Sequence, residues 1–420
     1  MAVMVEPGLW EHVPSPFCGL GCDDLKVKVE GERVQVLANG DPITQPAFEQ
    51  PLGAKSPTLL GQPVSLPEAV ARAAEILAHA ELPLIAGLAT DVAGMRAAIR
   101  LADRLGGVVD GMGSKAALRN LLAFQDSGWM TATLAEVKNR ADLVVVLGTN
   151  IDSLFPRFFE RCVLVDGMFV EASCREVVYL GKPPSERWVQ GINPWVLECA
   201  DEDLPAVVAV LRALVNGCSL AIEKIGGIDL SELQCLAAKL QSARYAVIAW
   251  AASALDWPHA ELTVQTVCEL IKSLNRTTRC AGLPLGGKEG DQTATQVCTW
   301  LTGYPTRVRF SRGFPEYDPY FHATDRLLDS GEADALLWIS AYNIARSPPV
   351  SAVPTVVLGR CGMSFEQLPE VYIPVGVPGI DHSGHTYRMD NVVAIRLHKL
   401  RDVGLPSVAQ VLNAIYQVLE

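Results

Sequence analysis

The amino-acid sequence predicts an α/β protein with two parallel-sheet domains and a small N-terminal β unit. Short, continuous β-branched runs alternate with amphipathic helical segments, which is typical of parallel sheets buried on both faces. Ahead of them, residues 24–40 alternate apolar and charged side chains with the period of a half-buried strand. The chain has 420 residues, of which 49% are hydrophobic, and at roughly 150 residues per domain this length supports two to three buried cores.

The N-terminal unit is predicted over residues 1–60. In the segment DLKVKVEGERVQVLANG, the apolar residues Leu25, Val27 and Val29 alternate with charged ones before a turn at Gly31, so a β-hairpin is expected. Prolines then recur at positions 42, 46, 51, 57, 63 and 67. This stretch is predicted to be an ordered connector that wraps a neighbouring domain rather than an element of a core.

The first α/β domain is predicted over residues 61–175 together with 330–420. Periodicity predicts these elements in chain order: helix 67–80, strand 83–88, helix 92–105, strand 107–109, strand 142–148, strand 162–166, strand 333–339, strand 354–358 and strand 370–374. A hairpin that turns at Asp390-Asn391 and a helix from residue 406 are predicted to close the chain.

The second α/β domain is predicted over residues 176–329. Its expected elements are helix 203–216, helix 229–242, strand 245–251 and helix 259–274. The segment after residue 274 is predicted to be rich in turns.

Charge and cysteine content narrow the class of protein. Lys and Arg number 35 against 47 Asp and Glu, a net charge of −12, so binding to nucleic acid or to an anionic membrane surface is not expected. The 11 cysteines are scattered and form no disulfide framework, which favours a reducing cytoplasm. Since no stretch reaches about 18 uninterrupted apolar residues, no membrane span is expected.

Two short motifs match the residue spacing of known functional sites, but a structural role is favoured for both. Residues 282–288 match the spacing G-x-x-x-x-G-K of a phosphate loop, but Pro284 removes an amide donor and Glu289 stands where a Ser or Thr hydroxyl is needed. A Gly-rich turn is favoured over nucleotide binding. His382 and His385, next to Asp381, offer a metal site, but a polar surface turn is favoured because Gly384 lies between the two histidines.

Several longer segments resemble a known family, in order and over nearly the whole chain. They are SPFCGLGCDDLKVKVEG (15–31), LAFQDSGWMTATLAEVKNRADLVVVLGTNIDSLFPRFFER (122–161), TQVCTWLTGYPTRVRFSRGFPEYDP (295–319), GEADALLWIS (331–340) and GHTYRMDNVVAIRL (384–397). They resemble the B subunit of formylmethanofuran dehydrogenase, which is the tungsten- or molybdenum-pterin subunit of a one-carbon enzyme. The resemblance implies a molybdopterin-oxidoreductase-like fold, with two Rossmann-like domains and a vestigial iron–sulfur domain at the N-terminus.

The resemblance also shows which functional positions have changed. The family motif C-x-x-C-x-x-x-C with a later fourth cysteine falls on Ser15, Cys18, Cys22 and a residue near Asp41, so two of the four thiolates that hold a [4Fe–4S] cluster are missing. The family's metal-binding cysteine or selenocysteine and the histidine after it fall on Ala116 and Ala117. Neither side chain binds a soft metal or transfers a proton.

The position of the family's active-site arginine also lacks its residue. It falls near Gly286, and Lys288 is the nearest cation. The polar residues Gln125, Asp126, Arg140 and Arg388 lie in the matched segments and are assigned no catalytic role. Capping or subunit contact is expected for Asp126, which opens a turn before Gly128, and for Arg388, which lies on a predicted strand.

Because these ligands are missing together, the sequence resembles instead the B subunit of the bacterial formyltransferase/hydrolase complex. That complex takes part in the tetrahydromethanopterin-linked oxidation of one-carbon compounds in methylotrophs. The resemblance implies a D subunit that moves formyl from formyl-tetrahydromethanopterin to a methanofuran analogue, and an amidohydrolase-like A subunit with a metal centre that releases formate. The chain is predicted to be a non-catalytic structural subunit in a cytoplasmic hetero-oligomer with the A, C and D subunits. No catalytic, cofactor-binding or metal-binding residue is predicted in it, and no cofactor.

Two alternatives stay open at this point. One is a redox-active B subunit of formylmethanofuran dehydrogenase with unusual ligation, in which Cys18, Cys22 and Lys288 supply the residual chemistry. The other is a pterin or nucleotide retained in the former cofactor cleft as a regulatory ligand.

Overall fold

The computed structural model describes residues 2–185 and 191–420. The strands are β1 Val3–Glu6, β2 Leu9–Val13, β3 Leu25–Glu30, β4 Arg33–Ala38, β5 Thr58–Leu59, β6 Gln62–Pro63, β7 Pro83–Ala89, β8 Val108–Gly111, β9 Leu143–Leu147, β10 Glu176–Gly181, β11 Trp195–Glu198, β12 Lys224–Ile225, β13 Ile228–Asp229, β14 Ala246–Ala251, β15 Cys280–Leu285, β16 Val308–Arg309, β17 Glu316–Tyr317, β18 Ala335–Ser340, β19 Thr355–Arg360, β20 Val371–Val375, β21 Gly384–Tyr387 and β22 Ala394–Leu397.

Helices connect most of these strands. They are α1 Thr44–Glu49, α2 Leu66–His79, α3 Val92–Leu105, α4 Ser114–Ser127, α5 Leu134–Arg140, α6 Ile151–Leu154, α7 Phe158–Cys162, α8 Leu204–Val215, α9 Leu230–Ser242, α10 Ala260–Leu274, α11 Asp291–Thr302, α12 Thr324–Asp329 and α13 Val408–Val418, with short 3-10 turns at Ala172–Cys174 and Lys288–Gly290. In the part of the chain that the structure describes, no helix is both long and apolar enough to span a membrane.

The chain divides into two compact units. The first unit comprises residues 1–115 and 287–420, and the second comprises residues 116–286. This is a coarser division than the three domains expected from the sequence, whose boundaries stay a prediction.

The first unit is built on a mixed sheet with the strand order β17-β16-β8-β7-β18-β19-β20-β5-β6. Strands β8, β7, β18, β19 and β20 are parallel, as the continuous apolar runs predicted. Both faces are buried, since Ile85 and Leu337 contribute to the core beneath the helices while Leu84 and Leu336 contribute to a second core. Helices α2, α3, α11 and α13 contribute to the first of these cores. Because a core lies on each face of the sheet, the central strands need apolar residues on both sides.

A small antiparallel sheet, β1-β2-β3-β4, forms the N-terminus of the same unit. The predicted hairpin at residues 24–40 is confirmed as β3 and β4, which pair across Gly31. The sequence did not predict β1, because all four of its side chains are exposed and exposed strands carry no alternating pattern. The proline-rich connector is ordered: it contains α1, and its β5 pairs with β20 at the edge of the mixed sheet.

The second unit has a parallel sheet in the order β11-β10-β9-β14-β15. Val145 on β9 is aligned with Val178 on β10 and with Ile248 on β14. Helices α8, α9 and α10 cover this sheet with apolar side chains such as Leu211 and Leu236. The predicted helices 203–216, 229–242 and 259–274 are confirmed as these three helices.

Two features predicted from the sequence were wrong. The expected strand 162–166 does not form: Phe158, Phe159 and Cys162 are buried on the short helix α7, and the parallel neighbour of β9 is β10 instead. The segment after residue 274 is not mainly turns, because it contains β15 and, in the first unit, α11. Short apolar runs fit either a strand or a buried helix, so periodicity alone does not distinguish them.

Helix α2 begins with a capping box that provides a stability test. The Ser65 hydroxyl accepts from the Glu68 amide, and the Glu68 carboxylate accepts from the Ser65 amide. We expect Ser65→Ala to lower the free energy of unfolding by about 1 kcal/mol, because the Glu68 amide loses the hydroxyl that accepts from it. Chemical denaturation measures this, with Ser219→Ala, at another exposed serine, as the control. Equal stability of the two variants would contradict the assignment.

Candidate functional site

The N-terminal loop between β2 and β3 contains the only close cysteine pair in the sequence. The Ser15 amide donates to the Cys22 carbonyl at 2.8 Å, and the Gly21 amide donates to the Cys18 carbonyl at 3.0 Å. Cys18 is 4% exposed and Cys22 is fully buried. The loop is therefore closed by its own backbone, and both thiols point away from solvent.

The structure brings Ser15 and Asp41, two positions assigned to cluster ligands by resemblance, into one hydrogen-bonded network. The Ser15 hydroxyl lies 3.1 Å from the Thr44 hydroxyl and accepts from the Phe17 amide at 3.3 Å. Asp41 Oδ1 accepts from the Ile43 and Thr44 amides, both at 2.8 Å. Asp41 therefore satisfies amides at the start of α1, and these side-chain oxygens serve the packing of the loop.

Lys288 is electrostatically coupled to the same cluster. Burial lowers the pKa of the Lys288 ammonium and Arg346 lowers it further, whereas Cys18, Glu289 and Asp41 oppose the change. Asp41 Oδ2 is buried and has no hydrogen-bond partner among the described residues. Lys288, the cation nearest to the position that the resemblance assigns to the family's arginine, thus lies within electrostatic range of Cys18 and Asp41.

The loop that carries Lys288 is held in a strained conformation. Glu289 has φ +53°, and Gly287 and Gly290 have φ of +74° and +84°, a region that suits glycine and costs other residues free energy. A Cβ at Gly290 would lie 2.7 Å from the Thr90 carbonyl oxygen. The Glu289 carboxylate accepts from Asn343 Nδ2 at 2.6 Å, so the loop is fixed at the carboxyl ends of β7 and β18.

The segment 282–288 is not a phosphate loop. Its first four residues lie in the buried strand β15, and the Gly282 amide donates to the Met130 carbonyl at 2.8 Å. A Cβ at Gly282 would lie 2.8 Å from the Trp250 ring. The prediction of a Gly-rich turn is therefore wrong for the first half of the segment and holds only after Leu285.

The histidine pair does not form a metal site with its neighbouring aspartate. Asp381 is buried and bound to Arg401, with 2.7 Å between Oδ1 and Nε. His382 Nδ1 lies 3.0 Å from the Ser383 carbonyl oxygen, and His385 is exposed on β21. Among residues 2–185 and 191–420, no group of three His, Cys, Asp or Glu side chains is arranged to hold a metal ion.

The positions that the resemblance assigns to the family's metal ligand and histidine lie on a helix. Ala116 and Ala117 are partly buried residues of α4. Their methyl groups provide no ligand and no proton donor. Gln125 and Asp126 lie near the end of the same helix, where Asp126 Oδ2 accepts from Ser127 Oγ at 3.0 Å. Asp126 therefore lies in the last turn of the helix, and the expectation that it opens a turn is corrected.

The two arginines singled out from the sequence have structural partners. The Arg140 guanidinium lies 4.6 Å from the centre of the Phe169 ring. Arg388 forms a two-point ion pair with Asp390, at 2.9 and 2.5 Å. It follows β21 rather than lying on the strand, because the chain turns at Asn391, which has φ +63°.

A buried polar layer in the first unit was missed from the sequence. Arg360 ends β19 and donates to the carbonyl oxygens of Tyr342 at 2.8 Å and Ala47 at 2.6 Å. Its burial lowers its pKa to about 10, and the neighbouring Asp381 opposes that change. The sequence feature that could have predicted this layer is a charged residue at the end of an otherwise apolar run, TVVLGR.

Known proteins resemble this chain over most of its length. No family model matches the chain. The B subunit of tungsten-containing formylmethanofuran dehydrogenase 2 from Methanocaldococcus jannaschii is 29% identical over 407 residues, which cover 93% of each chain. The B subunit of the formyltransferase/hydrolase complex Fhc from Methylorubrum extorquens is 31% identical over 315 residues, which cover 74% of this chain and 82% of that protein.

A solved structure shows the same similarity. In the crystal structure of the formyltransferase/hydrolase complex FhcABCD from Methylorubrum extorquens with methylofuran, one chain matches with a TM-score of 0.73 and 28% identity, covering 87% of this chain and 99% of that one. The class is thus that of B subunits from formylmethanofuran dehydrogenases and formyltransferase/hydrolase complexes. Within it, the chain belongs to the family of formyltransferase/hydrolase complex B subunits, and the resemblance stated from the sequence is confirmed.

Proposed function

We propose that the chain is the structural B subunit of a formyltransferase/hydrolase complex and carries no redox centre of its own. The complex converts formyl-tetrahydromethanopterin to formate through a formylated methanofuran analogue. The observation that carries this proposal is the use of Ser15 and Asp41 in packing: their oxygens hold Thr44, Ile43 and Phe17 in place. Residues that replace cluster ligands and then bond locally support a fold kept for assembly.

The residues present do not fit an iron–sulfur cluster or a tungsten or molybdenum ion. A [4Fe–4S] cluster takes four thiolates, whereas two of the assigned positions here are Ser15 and Asp41, whose hydroxyl and Oδ1, respectively, form hydrogen bonds to neighbouring residues. The metal-ligand position offers the methyl groups of Ala116 and Ala117. We therefore assign no catalytic, cofactor-binding or metal-binding residue.

The proposal extends to architecture, partners and location. The mixed sheet of the first unit, the parallel sheet of the second and the small N-terminal sheet support a molybdopterin-oxidoreductase-like arrangement. The proposed domains are 1–60, 61–175 with 330–420, and 176–329. The FhcABCD structure supports a hetero-oligomer with an amidohydrolase-like A subunit, a C subunit and a formyltransferase D subunit. The net charge of −12 supports protein partners rather than nucleic acid, and a cytoplasmic location is proposed.

Metal analysis of the intact complex tests the proposal. The chain is co-expressed and purified with its A, C and D subunits, and tungsten, molybdenum, iron and zinc are measured by mass spectrometry. We expect no stoichiometric tungsten, molybdenum or iron, and at most stoichiometric zinc. One tungsten or molybdenum per chain would establish the alternative, a redox-active formylmethanofuran dehydrogenase subunit.

Substitution of the remaining cysteines provides a second test. We expect Cys22→Ala to leave the rate of formate release by the complex unchanged, because the thiol takes no part in the reaction. Cys268→Ala, at a thiol with 1% exposure in α10, controls for the loss of a buried sulfur. Activity lost with Cys22→Ala and kept with Cys268→Ala would favour the redox alternative.

A further inference from the structure

A small cavity lies at the carboxyl ends of β19 and β20 in the first unit. Its volume is about 10 Å³, close to the smallest volume that holds one water molecule. The charged side chains in its wall belong to Arg360, Asp381 and Arg401, and each of these residues is at most 6% exposed. Charges buried in this way need counter-charges, because they have lost most of their solvation by water.

The Asp381 carboxylate in the wall already has its partners. Its Oδ1 accepts from Arg401 Nε at 2.7 Å, and its Oδ2 accepts from the Val377 amide at 2.8 Å. Outside the wall, the Glu32 carboxylate forms an ion pair with Lys55 at 2.8 Å. Each of these two carboxylates therefore already has a cation of its own.

The Arg360 guanidinium forms no ion pair with a carboxylate among residues 2–185 and 191–420. It donates to the carbonyl oxygens of Tyr342 at 2.8 Å and Ala47 at 2.6 Å, and it lies 5.7 Å from the centre of the Phe17 ring. These partners are neutral, and they occupy only part of the five N–H donors that a guanidinium offers. Hydrogen-bond donors and a full positive charge are therefore left for another ligand.

The wall of the cavity therefore carries more buried positive charge than negative charge. Burial lowers the pKa of the Arg360 guanidinium, Asp381 opposes that change, and the neighbouring Arg401 lowers the pKa further. Burial and Arg401 both disfavour the charged form, because the charge is removed from water and placed beside a like charge. An anion bound in the cavity offsets both effects and accepts hydrogen bonds from the guanidinium.

The size and charge of the cavity limit which anion fits. A volume of about 10 Å³ holds a single small ion but not a carboxylate or phosphate group, which has several heavy atoms. The single guanidinium without a counter-charge matches a monovalent ion. Gln50, Leu52 and Leu405 also line the cavity and are partly exposed, so an ion exchanges with solvent without opening of the core. Chloride is the common monovalent, single-atom anion that meets these conditions.

We propose that this cavity binds one chloride ion between the guanidinium groups of Arg360 and Arg401. The Asp381 carboxylate orients Arg401 through the bond to its Nε. Hydrogen bonds from charged donors to an anion are among the strongest in proteins. The ion joins the proline-rich connector at residues 50–52 to the ends of β19 and β20, so chloride stabilises the first unit. All of these residues belong to this chain, so the site does not depend on the proposed function.

Thermal unfolding of the full chain tests the site. Chloride replaces gluconate, an anion too large for the cavity, at constant ionic strength. We expect about 100 mM chloride to raise the Tm of the wild type by at least about 3 °C and to leave the Tm of Arg360→Gln unchanged. The control is Arg307→Gln, which removes a guanidinium that is 7% exposed, donates to the Pro319 carbonyl oxygen and lies 3.4 Å from Asp110. It is expected to keep the chloride-dependent shift.

Chloride NMR of the wild type keeps the proposal falsifiable if Arg360→Gln does not fold. We expect the protein to broaden the chloride line and bromide, a similar single-atom anion, to reverse the broadening. A wild type with the same Tm in chloride and gluconate, or with no line broadening, overturns the proposal. Loss of the shift in Arg307→Gln also overturns it, because chloride then acts elsewhere. Stabilisation by formate but not by chloride does the same, since the site then admits a larger anion.

Discussion

Replacing Arg401 with Met is expected to lower the free energy of unfolding by about 3–5 kcal/mol, the cost of leaving a buried charge without its partner. Arg401 and Asp381 have side-chain exposures of 4% and 2% and approach to 2.7 Å. Asp381 also accepts from the Val377 amide at 2.8 Å, and Arg401 donates to the Glu32 carbonyl oxygen. The pair therefore ties the segment after β20 to the N-terminal sheet within the first unit. Chemical denaturation of the purified variant measures the loss.

A second variant and a surface control make this prediction specific. The double variant Asp381→Asn/Arg401→Met removes both charges and is expected to lose less stability than Arg401→Met alone, because no carboxylate is left buried without its partner. Lys399→Met breaks the Lys399–Asp402 pair, whose side chains are 44% and 75% exposed, and is expected to change stability by less than about 1 kcal/mol. Equal losses for Arg401→Met and Lys399→Met would disprove the importance of burial.

The second large effect is expected from Asp291→Asn and depends on pH. Asp291 is the first residue of α11, and burial raises its pKa to about 7, with a smaller contribution from the Glu289 carboxylate. A carboxyl whose pKa is raised by folding binds its proton more tightly in the native state than in the unfolded chain. The wild type therefore loses stability as pH rises from about 4 to 7, and the full penalty is present above pH 7.

Asparagine carries no charge and keeps a carbonyl oxygen that accepts from the Gly113 amide, which bonds to Asp291 in the wild type. Relative to the wild type, Asp291→Asn is expected to gain about 2 kcal/mol more stability at pH 8 than at pH 5. Denaturation curves at the two pH values measure this difference. Asp103→Asn, at an exposed position of α3, serves as the control and is expected to show no such dependence. A gain that is the same at pH 5 and pH 8 would refute the raised pKa.

Local sequence patterns were sufficient to predict most of the individual helices and strands. The predicted helices 67–80 and 92–105 appear as α2 and α3, and the strand 245–251 appears as β14, because each repeats its apolar residues with one clear period over many positions. The prediction of a strand at 162–166 was wrong because the apolar run there is too short to show a clear period. Its apolar run is short enough to fit the last residues of a buried helix, and only packing places Phe158 and Phe159 on α7.

The candidate site was also predictable only in part from the sequence. Resemblance placed Ser15, Cys18, Cys22 and Asp41 at the former cluster positions and alanines at the metal-ligand position. It did not indicate that Thr44 would join Ser15 to Asp41, or that Lys288 would lie within electrostatic range of Cys18. These relations depend on how loops from distant parts of the chain meet, and a linear pattern does not record such distances.

By itself, the sequence determined the α/β class, most of the helices and strands and the family resemblance. That the family's soft ligands are absent from their assigned positions stays a prediction. Only the tertiary structure decided which strands are neighbours, which arginines are buried and which aromatic rings are exposed. Arg307 shows why: it bonds to Ser114, 193 positions earlier, and fixes the loop that presents Tyr320 and Phe321. Secondary structure follows from short-range periodicity, whereas interaction surfaces follow from contacts between residues far apart in the chain.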